Sequence, residues 1–156
     1  MRLIVAAVGH RMPSWVHSGF EEYARRLPRE ARLELIEVKP ERRSSAIRPE
    51  RAMMREEARV EAAIPPYCYR VILDERGEQL TSGELARKLK NWLGAGRDVA
   101  LVVGGADGLT DRFKQSADML LALSRMTLPH GLARVLLAEQ LYRAISIMHN
   151  HPYHRD

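Results

Sequence analysis

The sequence predicts a single α/β domain with a mostly parallel sheet and helices on both of its faces. Three observations support this prediction. Apolar runs alternate along the chain with stretches of helical periodicity. The runs are apolar at nearly every position, as strands buried on both faces of a parallel sheet are. The 156 residues contain no internal repeat or low-complexity segment, so residues 1–156 are expected to form one domain.

The first half of the chain contains three predicted strands and two predicted helices. The run RLIVAAV is broken by Gly9, and Pro13 and Ser14 then begin a helix that Pro28 stops. In order, we predict a strand at 2–8, a helix at 14–27, a strand at 31–39, an Arg-rich loop at 40–51, a helix at 50–63 with a sparse apolar stripe of Met53, Val60 and Ile64, and a strand at 67–74.

The second half continues the same alternation. The polar stretch ERGEQLTS is predicted to be a connection, and Thr81 and Glu84 at its end have the capping-box spacing that starts a helix. Gly94 and Gly96 are expected to end that helix. We then predict a strand at 98–103, a glycine loop at 104–108, a helix at 110–119, a segment at 120–126 that could be a strand or a helix end, and a last helix at 132–148.

The last predicted helix is apolar on more than one face. Leu132 and Val135 lie on one side of it, and Leu137 and Leu141 lie on another. A surface helix has one apolar stripe, so this pattern indicates a helix that is covered on both sides. In a domain of this size the sheet can cover one side and a partner subunit the other. The sequence therefore predicts a homodimer with Leu141 at the subunit interface.

The charge of the chain is compatible with an anionic partner. Lys and Arg number 25 and Asp and Glu number 20, which gives a formal net charge of +5, and most of the cations are Arg. Arginine binds phosphate through two hydrogen bonds at once, so nucleic acid is a plausible partner. A GC-rich genome would explain the same composition without any such partner. Charge alone does not decide between these two explanations.

Several protein classes are not expected. No apolar stretch approaches the roughly 18 residues of a membrane span, and the start of the chain lacks a signal-peptide pattern. Cys68 is the only cysteine, which excludes an internal disulfide, and its place in an apolar strand favours a buried structural role. These features predict a soluble cytoplasmic protein that does not associate with membranes.

A ligand site is expected at the carboxyl ends of the strands, as in other open α/β sheets. Three such ends carry distinctive residues: Leu73–Asp74, the GGADG loop, and the segment from Leu123 to His130. The glycines of GGADG could let the protein backbone approach a ligand closely, or they could only form a turn. The loop is neither a dinucleotide-binding nor a P-loop motif, and the chain lacks the common hydrolase and metalloprotease motifs. Asp107 and Asp111 are most simply a loop residue and a helix cap.

The end of the chain, HNHPYHRD, contains three of the six histidines. A metal site, a solvated tail and part of an active site are the alternatives. Zinc sites take three or four ligands on ordered backbone, and the only nearby acid is Asp156. Tyr153 and Arg155 can stack on a base and bind a phosphate, and a histidine such as His154 can move a proton. Because this tail leaves the predicted dimer interface, we favour an active-site role without a metal.

Three motifs in order resemble the small SPOUT-class methyltransferases. They are VVGGADGL (102–109), LSRMTLPHGLARVLLAEQLYRA (123–144) and NHPYHRD (150–156), and the beginning of the chain is also similar to that family. The nearest resemblance is to the rRNA pseudouridine methyltransferases of the RlmH type. It implies a carboxyl-terminal trefoil knot, which is a rare topology, and a homodimer. It also implies that S-adenosylmethionine donates a methyl group to N3 of a pseudouridine in 23S rRNA.

The resemblance also implies which residues form the site. Tyr153, His154 and Arg155 would face the cofactor of the partner subunit, with His154 the first candidate for the base that removes the N3 proton. His130 is the second candidate, and it could equally pack behind Pro129. The cofactor pocket would comprise Leu73, Gly104, Gly105, Leu123, Ser124, Arg125, Met126, Thr127 and Leu128.

Some points stay open at this level. Glu139 and Arg143, one helical turn apart, could be an ion pair at the dimer interface or could contact substrate, and the pair is favoured. Glu78 stands where similar sequences often have lysine, which puts a phosphate contact from that loop in doubt. A non-catalytic RNA-binding or ribosome-associated factor of the same fold, or another nucleotide-binding α/β enzyme, remains an alternative.

Overall fold

The structure, a computed structural model, is built around one sheet of five parallel strands in the order β2-β1-β4-β3-β5. It describes residues 1–155, and Asp156, the acid considered above for a metal site, lies outside them. The elements are β1 (Arg2–Val8), α1 (Ser14–Ala24), a 3-10 turn (Arg29–Ala31), β2 (Arg32–Val38), α2 (Pro49–Ala63), β3 (Tyr69–Gln79), α3 (Ser82–Ala95), β4 (Val99–Val103), α4 (Asp111–Gln115), β5 (Met119–Ala122) and α5 (His130–Met148).

Helices cover both faces of the sheet, which confirms the predicted α/β fold. Alternate side chains of the strands enter two separate cores. On one face α1, α3 and α5 pack over strand residues such as Leu3, Val5 and Leu101. On the other face α2 and α4 pack over residues such as Ala6 and Val102. The carboxyl-terminal knot stays a prediction, and no helix within residues 1–155 is long and apolar enough to cross a membrane.

The α5 helix lies between α1 and α3 on its face of the sheet. Its contact with α1 is close because each helix has a glycine opposite a valine of the other. A Cβ atom on Gly19 would lie 3.1 Å from Val135 Cγ1, and one on Gly131 would lie 2.8 Å from Val16 Cγ2. These two glycines therefore set the distance between the helices.

The two sides of α5 differ in burial, which corrects one expectation. Leu141 is fully buried within the single chain, in the core between α5 and the sheet. Leu132 and Val135 are half-buried, and Leu136 is 36% exposed. Leu141 was therefore wrongly placed at a subunit interface, and the side of α5 that carries Leu132 and Leu136, here called its outer side, is the more exposed one.

The β3 strand continues into the segment predicted to be a polar connection. It extends through Gln79 and pairs with β5 on both sides of an irregularity between Leu73 and Glu78. Gly77 allows this pairing, because a Cβ atom there would lie 2.7 Å from the backbone of Leu121. Polar composition was misleading because this part of the strand is largely exposed.

The helix ends largely follow the sequence prediction. Thr81 and Glu84 form the expected capping box at the start of α3. Gly96, in a left-handed conformation, ends that helix, whereas Gly94 lies inside it. Residues 119–122 form a strand, and α4 is shorter than predicted.

Candidate active site

A cleft of about 550 Å³ opens at the carboxyl edge of the sheet. Its walls come from the middle of β3, from the ends of β4 and β5 with the turns that follow them, and from the first turn of α5. This is the edge at which open parallel sheets bind ligands, and the volume is within the range of small-molecule sites. The lining includes Leu73, Asp74, Val103, Gly104, Gly105, Asp107, Leu109, Lys114, Leu123, Ser124, Met126, Thr127, Leu128, His130 and Ala133.

The cleft brings together eight of the nine residues predicted to bind a cofactor. They are Leu73, Gly104, Gly105, Leu123, Ser124, Met126, Thr127 and Leu128, and the candidate base His130 lies with them. Arg125 is the exception, because its guanidinium Nε donates a hydrogen bond to Gln79 Oε1 at 3.2 Å and the residue is not part of the lining. The Ser124 hydroxyl accepts a hydrogen bond from the Met126 N–H, which holds the turn of this wall.

The glycine loop is a tight turn whose glycines contact protein. The Gly108 N–H donates to the Gly105 carbonyl, and Gly108 has a φ of 75°. A Cβ atom on Gly104 would lie 3.0 Å from Leu109 Cγ, and one on Gly105 would lie 3.0 Å from both Glu56 Oε1 and Val8 Cγ1. Both glycines are therefore needed for the folding of the loop itself.

Two buried carboxylates of α2 hold this loop from behind. Glu56 is 1% exposed and accepts hydrogen bonds from the Glu41 N–H and from the guanidinium of Arg43. Glu57 accepts hydrogen bonds from the N–H and the hydroxyl of Thr110, the residue that caps α4. Arg43 also donates to Asp107 Oδ2 at 2.8 Å, within the glycine loop. The loop is thus fixed by ion pairs and hydrogen bonds on the side away from the cleft.

Sequence reasoning missed Glu56 and Glu57, although a signal was present. The apolar stripe of α2, at Met53, Val60 and Ile64, lacks a member one turn after Met53. Glu56 and Glu57 occupy that position and point inward with it. A charged residue at a vacant core position of an amphipathic helix is expected to have a buried partner.

On the β3 side of the cleft, Asp74 links β3 to α4 through an ion pair. Its carboxylate forms an ion pair with Lys114 Nζ at 2.6 Å and accepts a hydrogen bond from the Arg76 N–H. Burial acts to raise the pKa of Asp74, but these hydrogen bonds and the two positive charges outweigh it and lower the pKa. Asp74 is therefore ionised at neutral pH. Glu78 lies outside the cleft and pairs with Lys88 of α3.

The tail folds back onto α5 and does not extend into solvent. Asn150 has a left-handed φ of 52° that reverses the chain, and the His151 N–H then donates to the Ser146 carbonyl. The Tyr153 ring packs on the ring of Tyr142, with centroids 4.6 Å apart, and lies under the Arg143 guanidinium.

Glu139 connects the tail to α5. Its carboxylate pairs with Arg143 at 2.8 Å and accepts the Tyr153 hydroxyl at 3.0 Å. The favoured ion pair of Glu139 and Arg143 is therefore present within one chain. Burial, together with Glu139, raises the pKa of Tyr153 to about 12.

The tail and the cleft lie on different sides of α5. His130 faces the cleft, and Glu139 follows it by nine residues, or about two and a half helical turns, so the two project in opposite directions. They are also separated by about 14 Å along the helix. Tyr153, held on Glu139 and Tyr142, is consequently on the outer side of α5, away from the cleft of its own chain. Within residues 1–155, no group of three or more His, Cys, Asp or Glu side chains is placed to hold a metal ion.

Comparison with known proteins identifies the family. A family model described as "Predicted SPOUT methyltransferase" matches residues 1–154. The chain belongs to the SPOUT methyltransferases. This confirms the resemblance noted in the sequence.

Two curated relatives match over nearly all or all of their length. A protein from Janthinobacterium sp. (strain Marseille) named "Ribosomal RNA large subunit methyltransferase H" is 57% identical over 155 residues, which are 99% of each chain. A protein of the same name from Laribacter hongkongensis is 53% identical over 156 residues, all of both chains. Such similarity extends across the cleft, the glycine loop and the tail.

Solved structures share the SPOUT fold at low sequence identity. The tRNA (m1G37) methyltransferase from Aquifex aeolicus aligns with a TM-score of 0.55 at 16% identity, over 100% of this chain and 76% of that one. A probable methylase family protein from Haemophilus influenzae Rd KW20 aligns with a TM-score of 0.52 at 17% identity, over 99% and 70%. These likenesses support the fold.

Proposed function

We propose that this chain transfers the methyl group of S-adenosylmethionine to N3 of a pseudouridine in the 23S rRNA of the large ribosomal subunit, and that the assembled ribosome is its substrate. The reaction then takes place in the cytoplasm. The observation that carries the proposal is the cleft at the carboxyl edge of the sheet, which gathers the segments 104–109 and 123–130 that resemble the family's motifs. Relatives that match over 99% or more of the chain at 53–57% identity are named as large-subunit rRNA methyltransferases.

The cleft suits S-adenosylmethionine in its chemistry. Leucine and valine side chains from β3, β4 and β5 provide apolar walls for a flat base, and the turns at 104–108 and 123–128 provide backbone polar groups for the ribose and the amino acid part. When bound, the cofactor supplies a sulfonium methyl group that is already a strong electrophile. The chain therefore needs residues that bind and orient, and a group that takes a proton.

A histidine is proposed to accept the proton that leaves N3 of the pseudouridine. His154 of the tail is the first candidate for the base and His130 of the cleft the second, since histidine accepts protons near neutral pH. Tyr153 is suited to orient the nucleobase of the substrate. Its pKa is raised to about 12, so its hydroxyl keeps its proton at neutral pH. Arg155 is exposed and is suited to bind a phosphate of the rRNA.

We propose that two copies of the chain form each site. The tail of one chain lies on the outer side of α5, where it cannot line its own cleft, so it would complete the cleft of a second copy. Half-buried Leu132 and exposed Leu136, which lie on that same side of α5, would form the contact between the two copies. A homodimer would thus explain both the apolar outer side of α5 and the position of Tyr153.

The proposal is tested with purified protein and ribosomes that lack the modification. Radiolabelled S-adenosylmethionine should label 23S rRNA in 70S ribosomes and label naked 23S rRNA much less, and mass spectrometry of the digested rRNA should find one methylated pseudouridine. Titration calorimetry should detect cofactor binding. A protein that binds ribosomes but not S-adenosylmethionine would instead be a non-catalytic ribosome-associated factor.

A further inference from the structure

We propose that the segment from Lys39 to Arg59, which leads from β2 through the loop into α2, binds the phosphate backbone of the rRNA substrate beside the cleft. We call this segment the 39–59 surface. The inference rests on the proposed function, because it names the part of the chain that holds that substrate.

The 39–59 surface concentrates the positive charge of the chain. Its 21 residues contain seven Lys or Arg and four Glu, so it holds three of the five net positive charges of the whole chain. Two of the four acids are buried: Glu56 pairs with Arg43, and Glu57 accepts hydrogen bonds from Thr110. The charge that faces solvent is therefore more positive than the composition alone indicates.

Four cations of this surface are available to a ligand. Lys39, Arg42, Arg48 and Arg51 are exposed, and their side chains form no hydrogen bond or ion pair with another of residues 1–155. Arg55 and Arg59, by contrast, share the carboxylate of Glu41. A cation that lacks an acidic partner can neutralise a phosphate, and the counterions then released from the nucleic acid are a main source of binding affinity.

The surface is joined directly to the wall of the cleft. Arg43 bonds to Glu56 below it and to Asp107 in the glycine loop. Arg42, the neighbour of Arg43, is exposed. An rRNA strand bound along Arg42 and Arg51 would therefore lie next to the cleft that we assign to the methyl transfer.

The surface also remains accessible in the proposed dimer. The α2 helix covers the face of the sheet opposite to α5. A second copy that packs on the outer side of α5 would leave α2 in solvent. The rRNA could then contact the 39–59 surface of one chain and the tail of the other at the same site.

The test compares two double charge reversals. Arg42→Glu/Arg51→Glu alters the 39–59 surface. Arg29→Glu/Arg87→Glu is the matched control, because both control arginines are exposed, their side chains form no hydrogen bond or ion pair with the rest of residues 1–155, and they lie on the 3-10 turn before β2 and on α3. Both variants change the net charge equally, and neither pair contacts the cleft or the tail. Circular dichroism and melting temperature establish that each variant is folded.

We expect the Arg42→Glu/Arg51→Glu enzyme to keep its affinity for S-adenosylmethionine and its kcat within about twofold, while the KM for 70S ribosomes rises at least about tenfold, as expected when binding that is common to ground and transition states is lost. The slope of log K for ribosome binding against log salt concentration should fall by about one for each phosphate contact removed. The control variant should behave as the unaltered enzyme does.

An unchanged KM and salt slope, or an equal effect of the control pair, would overturn the inference and leave the proposed function in place. A failure of the unaltered protein to methylate 23S rRNA would overturn the proposed function, and this inference with it.

Discussion

The Tyr153 hydroxyl donates a hydrogen bond to Glu139 Oε1 at 3.0 Å, across 14 residues of chain. Glu139 also pairs with Arg143, so one carboxylate of α5 holds both a helix cation and the tail. The tail is therefore held in place before any substrate binds. Substrate binding then does not have to supply the free energy of ordering residues 149–153.

Removal of the tail should abolish methyl transfer without unfolding the protein. A chain that ends at Pro152 keeps every buried residue of both cores, so its melting temperature and its affinity for S-adenosylmethionine should stay close to those of the full chain. Methyl transfer should fall by at least about 100-fold, since proton transfer and orientation are both lost. Labelling of 23S rRNA measures the effect.

The same truncation can show in which subunit the tail acts. Heterodimers of the truncated chain and a full-length chain with Gly105→Val, purified through two different tags, should recover one working site. Neither homodimer should be active. Near-normal activity of the truncated homodimer would show that the tail is not needed, and inactive heterodimers would place the tail in the site of its own chain.

The glycine loop should not tolerate a side chain at position 105. Gly105→Val should lower the affinity for S-adenosylmethionine at least about tenfold, because its Cβ would lie 3.0 Å from Glu56 and Val8 and would push the loop into the cleft. Gly94→Ala is the control: it lies inside α3, no atom lies within 4 Å of its added Cβ, and alanine favours helix by about 0.5–1 kcal/mol. Titration calorimetry measures the affinity of both variants for S-adenosylmethionine. Equal affinities would show that the glycine loop is not part of the cofactor site.

The two sides of α5 should respond differently to a charge. Leu136→Glu, on the outer side, should give a folded monomer, because an unpaired charge is unfavourable at an apolar contact between subunits. Leu141→Glu should fail to fold, because Leu141 is fully buried within the single chain. Light scattering and thermal melting separate the two outcomes. If the Leu136→Glu protein remains dimeric, the interface between subunits does not lie on the outer side of α5.

The pair of Asp74 and Lys114 should make stability depend on acid pH. The pKa of Asp74 is lowered in the folded chain, so the ionised group stabilises the fold above the ordinary value of about 3.9, and this contribution is lost as the pH falls through the folded pKa. Asp74→Asn should therefore lower the free energy of unfolding by about 2 kcal/mol at pH 7 and by much less near pH 2.

Urea denaturation at several pH values measures this effect. Glu75→Gln, at the neighbouring exposed carboxylate of β3, serves as the control and should change stability little. A penalty for Asp74→Asn that is as large at pH 2 as at pH 7 would show that charge is not the source of the stabilisation.

Much of the fold follows from local pattern. Continuous apolar runs predicted β1 and β4 within a residue, and the spacing of Thr81 and Glu84 predicted the start of α3. These features depend on neighbours in sequence, so they can be recognised without knowing what packs on them. The resemblance to the family likewise predicted eight residues that the fold brings into one cleft.

What escaped prediction depends on contacts between distant segments. The end of β3 is polar and becomes a strand only because β5 pairs with it, past Gly77. Glu57 is buried because Thr110, 53 residues away in sequence, supplies an N–H and a hydroxyl. Glu56 is buried because it binds Arg43, which also bonds to Asp107 of the glycine loop. The burial of Leu141 depends on the packing of α5 between α1 and α3 and against the sheet. No local pattern contains this information.

The reciprocal contacts of Gly19 with Val135 and of Val16 with Gly131 have an evolutionary consequence. Each pair has room for one branched side chain and one hydrogen, so a larger residue at one member requires a smaller residue at the other. Across orthologous sequences, positions 19 and 135 should co-vary in volume, and so should positions 16 and 131. Lineages that exchange the two members of a pair should retain the same spacing between α1 and α5.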